Sequence, residues 1–106
     1  MAFTGASDSA FAEVAELGES AIYVGHYSGS SEWERHPGGD ELVMALAGST
    51  TLVMLKGGVE EKAQLTELEL VVVPAGVWHR FEGSQQLKVL TITPPSTDHR
   101  LEHPES

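Results

Sequence analysis

Along this chain the apolar positions mostly recur every second residue, in short runs cut by glycine and proline. "SAIYVGHYSG" (20–29) is rich in β-branched and aromatic residues and ends on a glycine, which predicts a strand. "GSS" (29–31) turns the chain, and "EWERH" (32–36) alternates again until Pro37, Gly38 and Gly39 break it. "ELVMALAG" (41–48) predicts a further strand closed by Gly48. Thr50 to Leu55 predicts another, ending at the tight-turn pair Gly57-Gly58. "VEEKAQL" (59–65) is its expected hairpin partner. "ELVVVPAG" (69–76) predicts a short buried strand stopped by Pro74 and Gly76, "VWHRFEG" (77–83) another, and "LKVLTIT" (87–93) the last, ahead of Pro94-Pro95.

Only "FAEVAEL" (11–17) suits a short helix and a first strand equally well. Residues 1–10 are small and polar and are expected to fray. Nothing after Ser20 has the pattern of a helix of normal length, and no internal repeat is present. Short strands at this spacing predict an all-β, antiparallel sandwich or barrel. The expected division is an N-terminal arm at 1–19, a barrel at 20–95 and a polar tail at 96–106, on the surface or disordered.

Composition narrows the options. The 106 residues suffice for one domain with one core, and 41% of them are hydrophobic. No apolar run reaches the roughly 20 residues of a membrane helix. The first 18 residues lack the basic and apolar regions of a secretory signal, so a cytoplasmic protein with no membrane partner is expected. A formal charge of −10 repels phosphate backbones and argues against a nucleic-acid partner. With no cysteine, disulfides and thiolate chemistry are excluded, and any metal must be held by imidazole and carboxylate.

Parity then singles out a set of residues. Glu34 and His36 are two apart and share one face of an extended segment, while Trp33 and Arg35 take the other. Glu41 opens the next strand after the glycine turn. His79 follows the Pro74-x-Gly76 turn, with Val77 and Phe81 on its face and Trp78 and Arg80 opposite. Two imidazoles and one or two carboxylates would thus converge between apolar inward residues, where burial without a partner costs several kcal/mol. One divalent transition metal (iron, manganese, nickel, cobalt or zinc) would offset that cost.

These residues resemble the two motifs of the cupins, commonly described as G-x5-H-x-H-x3-4-E-x6-G and G-x5-P-x-G-x2-H-x3-N. Here the first reads Glu34-x-His36, four residues, Glu41, six residues, Gly48. The second reads Pro74-x-Gly76, two residues, His79, three residues, Gly83. The resemblance implies a jelly-roll barrel, the double-stranded β-helix, with metal ligands falling on Glu34, His36, Glu41 and His79. Glu34 stands in place of the first histidine, which leaves the metal's identity and affinity open. Ser28 and Leu68 stand where the motifs have glycine, and Gly83 replaces the terminal asparagine.

The fold hosts enzymes and non-catalytic proteins alike, so the family does not choose between them. One reading is an enzyme acting on a small oxygenated organic molecule, of dioxygenase, isomerase or lyase type, with Glu34 as catalytic base if it is not a ligand. The alternative is a module that binds or senses a metal or small ligand. Glu34 could also orient a histidine from outside the ligand set. Trp33 and Trp78 are expected to pack against another sheet or a second subunit, which predicts a homodimer. Tyr23, Tyr27, Met44 and Met54 are expected as packing, His26 as structural, Asp40 as a solvated turn residue, and His99 and His103 as solvated, with His99 over the barrel mouth as the alternative.

Overall fold

A computed structural model describes residues 3–4 and 10–104. Its strands are β1 (Phe3–Thr4), β2 (Ala10–Leu17), β3 (Ser20–Ser31), β4 (Trp33–Arg35), β5 (Glu41–Lys56), β6 (Val59–Leu65), β7 (Leu70–Val73), β8 (Trp78–Thr93) and β9 (Asp98–Arg100). The described residues contain no helix, and all pairings are antiparallel within one curled sheet. "FAEVAEL" is therefore strand, paired along β3 with a bulge between Glu13 and Ala15. The expected fraying of 1–10 falls largely on residues outside those described. Phe3 and Thr4 pair with Ser31 and Ser30.

The sheet is organised around β5 and β8, each 16 residues long. The alternation predicts two strands in each, split at Gly48 and Gly83. Instead both glycines take left-handed backbone, at φ +74° and +62°, and each strand runs on. The β5–β8 register slips three times between Ala45 and Thr51, so the ladder bends through bulges rather than ending. Gly48 is required there, since a Cβ would lie 2.2 Å from the Gln86 carbonyl oxygen. Leu68, at the motif's glycine position, keeps the positive φ (+66°) and donates its N–H to the Ala45 carbonyl at 2.7 Å. The turn geometry survives without the glycine, at the strain a side chain incurs there.

Inside the curl lie Val43, Ala45, Leu52, Met54, Leu65, Val73, Phe81, Leu87 and Val89. Leu52 is fully buried, and truncating such a side chain costs about 2–5 kcal/mol. Along "LVML" (52–55) alternation fails because both faces are covered. Leu52 and Met54 join this core, while Val53 and Leu55 join Trp33 and Trp78 in a second cluster.

That second cluster revises two expectations, the uncovered tryptophans and the undocked tail. Trp33 and Trp78 do lie on the face opposite Glu34 and His79, but they are only 3% and 6% exposed within the single chain. Their cover is the chain's own tail, so the exposed indoles that motivated a homodimer are not there. All three residues of β9 pair with β4, His103 sits edge-on to Trp33 at 5.0 Å, and Pro104 is buried. Arg100 lies over Trp78 at 5.9 Å. Met44 is also not core: it is half-buried on the outer face of β5.

Two cross-strand rows cover that outer face elsewhere. Val72, Leu42, Ile92, Ile22 and Ala15 line up across β7, β5, β8, β3 and β2. Leu70, Met44, Leu90, Val24 and Ala12 form the adjacent row on the same strands. All ten are half-buried or exposed, and none is charged.

Candidate metal centre

Four elements bring the predicted residues together. Glu34, on β4, is opposite His79 at the start of β8. His36 follows β4, and Glu41 opens β5. The two motif turns are tied to each other: Gly76 donates its N–H to the His36 carbonyl at 3.1 Å, and Ala75 donates to Asp40 Oδ1 at 2.9 Å. Asp40 is thus a turn residue, as expected, but one that clamps the two turns bearing the histidines.

All four side chains are buried, Glu41 completely. Glu34, His36 and His79 each offer a ligating atom, and these three atoms lie within 4.8 Å of one another, so the group could hold a metal ion. Glu41 Oε1 lies 3.3 Å from His36 Nε2 and 2.9 Å from His79 Nε2. These contacts are close but not directed: His36 Nε2, His79 Nε2 and Glu41 Oε1 have no hydrogen-bond partner. Ligand atoms sharing one ion at about 2.1 Å, at tetrahedral to octahedral angles, sit about 3.0–3.4 Å apart. The His36–Glu41 separation of 3.3 Å falls in that range and the His79–Glu41 separation of 2.9 Å just below it.

The outward side of each ligand is already satisfied. His79 Nδ1 is 3.0 Å from the Val77 carbonyl, which can only accept, so Nδ1 carries the proton and Nε2 presents its lone pair to the site. His36 Nδ1 is 2.9 Å from Thr97 Oγ1. Thr93 donates its hydroxyl to Glu41 Oε2 at 2.6 Å, and Thr91 lies 3.0 Å behind it. A neutral His79 lone pair facing a carboxylate oxygen is repelled by it, so the cluster calls for a proton or a cation at its centre. Burial pushes the Glu41 carboxyl up, but the imidazoles of His36 and His79 outweigh it and hold the group at about 2. Burial likewise pushes His79 down, and the Glu41 carboxylate beside it outweighs that, raising His79 above an ordinary imidazole.

Thr91, Thr93 and Thr97 were missed from sequence. The signal for the first two was a pair of polar residues on the inward parity of "LTIT"; for Thr97 there was none. His99 is half-exposed, with Nδ1 at 2.8 Å from Glu32 Oε1 and 3.5 Å from Glu34 Oε2, so the tail histidine does reach the site's edge. His26 is exposed and paired with Lys88, away from the site. Thr93 also lines a cleft of about 310 Å³ with Tyr23, Pro94 and three acids, Glu13, Glu16 and Glu19.

The cupin-domain profile matches residues 24–93. The chain belongs to the cupins. Among solved structures, a cupin superfamily protein of Desulfitobacterium hafniense is 21% identical, with 88% of this chain and 83% of that one covered and a TM-score of 0.72. A protein of Ralstonia eutropha, named as a candidate mannose-6-phosphate isomerase, is 21% identical over 87% and 89% of the two chains, with a TM-score of 0.69. A hydroquinone 1,2-dioxygenase solved with Cd²⁺ and 4-hydroxybenzonitrile is 18% identical, covers 79% of this cupin and 63% of its own chain, and gives 0.66. At these identities the likeness shows the fold alone. Comparison with functionally curated proteins gives no match.

Proposed function

We propose that this cupin binds one divalent transition metal through His36, Glu41 and His79, with Glu34 as a fourth ligand or as the proton acceptor beside it. The observation that carries the reading is the convergence of two imidazole nitrogens and a carboxylate oxygen, all buried and all without a hydrogen-bond partner. When bound, such an ion supplies a Lewis acid or a redox centre. The chain's own residues hold the His79 imidazole in one tautomer, fix the His36 ring through Thr97, and keep all four side chains out of bulk water, with Glu34 beside the two histidines. Metal analysis of protein purified without added metal is the test. About one equivalent is expected, and a preparation that neither carries nor takes up zinc, cobalt, nickel, manganese or iron removes the reading.

The finer reading is an enzyme acting on a small oxygenated organic molecule. The substrate class is narrowed by charge: the chain carries −10, which disfavours a phosphorylated substrate and favours a neutral or cationic one. A non-catalytic binding module is the second reading, favoured by the burial of all four side chains to 4% exposure or less. The Co²⁺-loaded protein separates them. A change in its visible spectrum on adding a small diol or hydroxy acid means open positions and supports the enzyme; an unchanged spectrum supports the closed module.

The homodimer also remains a proposal, now through the two apolar rows rather than the tryptophans. Five strands about 4.8 Å apart carry these uncharged rows across roughly 19 Å. A second copy could cover it without burying charge, even though each copy is strongly acidic, and a two-fold axis would make it self-complementary.

A further inference from the structure

β4 is only three residues long; Trp33 packs it on Val53, Leu55 and Trp78, but most of its backbone pairing comes from elsewhere. A single residue pair, Glu34 with His79, joins it to β8, whereas Trp33, Glu34 and Arg35 pair with Arg100, His99 and Asp98 of β9. The strand carrying one wall of the metal site thus takes three of its four residue pairings from the chain's C-terminal end. Side chains follow the same path. Arg35 Nε lies 2.7 Å from Asp98 Oδ2, Thr97 Oγ1 is 2.9 Å from His36 Nδ1, and His99 Nδ1 reaches Glu32 and Glu34. Upstream, the Pro95 carbonyl presses on Gly38, where a Cβ would come within 2.9 Å, and Pro94 packs on Gly39.

From these contacts we infer that residues 96–104 are a working part of the metal centre, with Thr97 and His99 as positioning residues for His36 and Glu34. The inference rests on the metal reading above. An imidazole that ligates through Nε2 can still rotate and shift about its Cβ bonds. A partner on Nδ1 fixes the ring, and losing such a partner typically lowers metal affinity about 10–100-fold. Thr97 is the partner of His36, and it belongs to the tail rather than to the barrel. Coupling of this kind is reciprocal: if a docked tail tightens metal binding, bound metal must tighten tail docking by the same factor. Filling the site would then close the C-terminal strand down on β4, and releasing the ion would loosen it.

Two measurements on the full chain test this with Zn²⁺ alone as the probe. Chelator competition should show Thr97→Val weakening Zn²⁺ about 10–100-fold in protein that still unfolds cooperatively without metal, while Thr97→Ser, which keeps the hydroxyl, restores it. Hydrogen exchange read by mass spectrometry should show the amides of 97–100 slowed by Zn²⁺ in the wild type, and less so in Thr97→Val. If the wild type binds Zn²⁺ but Thr97→Val binds equally well, or Zn²⁺ leaves exchange at 97–100 unchanged, the tail is cover only and the inference is overturned. A wild type that binds no metal fails the underlying reading, a result distinct from either.

Discussion

β4 and the start of β8 carry two clusters back to back, built from alternate residues of the same strands. Inward lie Glu34, His36 and His79; outward lie Trp33, Arg35, Trp78 and Arg80. The outward cluster is closed by the chain itself, although the buried Arg80 Nε has no hydrogen-bond partner. Its indoles rest on Val53 and Leu55, Arg35 stacks over Trp78 at 4.7 Å and Arg80 over Trp33 at 5.6 Å, and the tail closes it. The inward cluster is more deeply buried, and there His36 Nε2, His79 Nε2 and Glu41 Oε1 face one another at 2.9–3.3 Å without a directed hydrogen bond. The difference shows which face the chain finishes by itself and which one leaves atoms aimed at something it does not encode. Polar groups kept buried against their own solvation preference point to a ligand, whereas aromatic groups kept buried point only to packing.

The largest expected effect breaks the inward side. His79→Ala removes one of two imidazoles and should abolish metal retention after purification, measured by elemental analysis. Content equal to wild type would dissolve the distinction between the two faces. Next is the outward side. Trp33→Ala should cost about 3–5 kcal/mol in denaturant unfolding, because a large buried ring is replaced by a cavity under the tail. A cost below about 1 kcal/mol would show the tail to be a loose cover. Glu34→Gln sharpens the assignment between the two. An amide ligates poorly, so a clear loss of metal affinity makes Glu34 a ligand; full affinity leaves it as proton acceptor or as partner of His99.

The register of these faces was legible from sequence, because parity in "EWERH" and "VWHRF" is fixed once both are strands. His36, Glu41 and His79 came together as expected since the turns between them are short and stiffened by proline and glycine. What covers the outward face was not legible. "STDHRLEHP" (96–104) has no apolar periodicity, and it docks through backbone pairing with β4, an ion pair and ring contacts, none of which leaves a pattern in a single sequence. The division of β5 and β8 failed for a related reason: glycine marks an irregularity, and only the partner strand determines whether that irregularity ends a strand or bends it.

A smaller effect concerns the part of the outer face that the tail does not reach. If two copies meet through the apolar rows, Ile92→Lys should convert a dimer of about 23 kDa to a monomer of 11.4 kDa in sedimentation, leaving metal content unchanged. A wild type already monomeric at micromolar concentration would leave the rows merely solvated. Trp33→Ala should not shift this equilibrium, since the indoles belong to the completed cluster.

The smallest effect is a pH dependence confined to the inward cluster, and its sign can be worked out for the metal-free protein. Glu41 is held at about 2 in the fold against an ordinary value of 4.5. Its contribution to stability is therefore present above about 4.5 and lost as pH falls toward 2. His79 is raised above its ordinary 6.5, so its contribution is full below 6.5 and is lost as pH rises through the folded value. Metal-free protein should thus gain most from the pair between about 4.5 and 6.5, with stability falling on both sides. A cation takes the place of the proton on His79, so metal binding should release a proton and strengthen as pH climbs out of that window. Melting temperatures across pH, with and without Zn²⁺, should show the alkaline decline erased by metal while the acid decline persists, because Glu41 must be ionised either way. His79→Gln should flatten the alkaline limb, and Trp33→Ala should lower the whole curve without changing its shape. An alkaline limb that survives His79→Gln would place the titration outside this cluster.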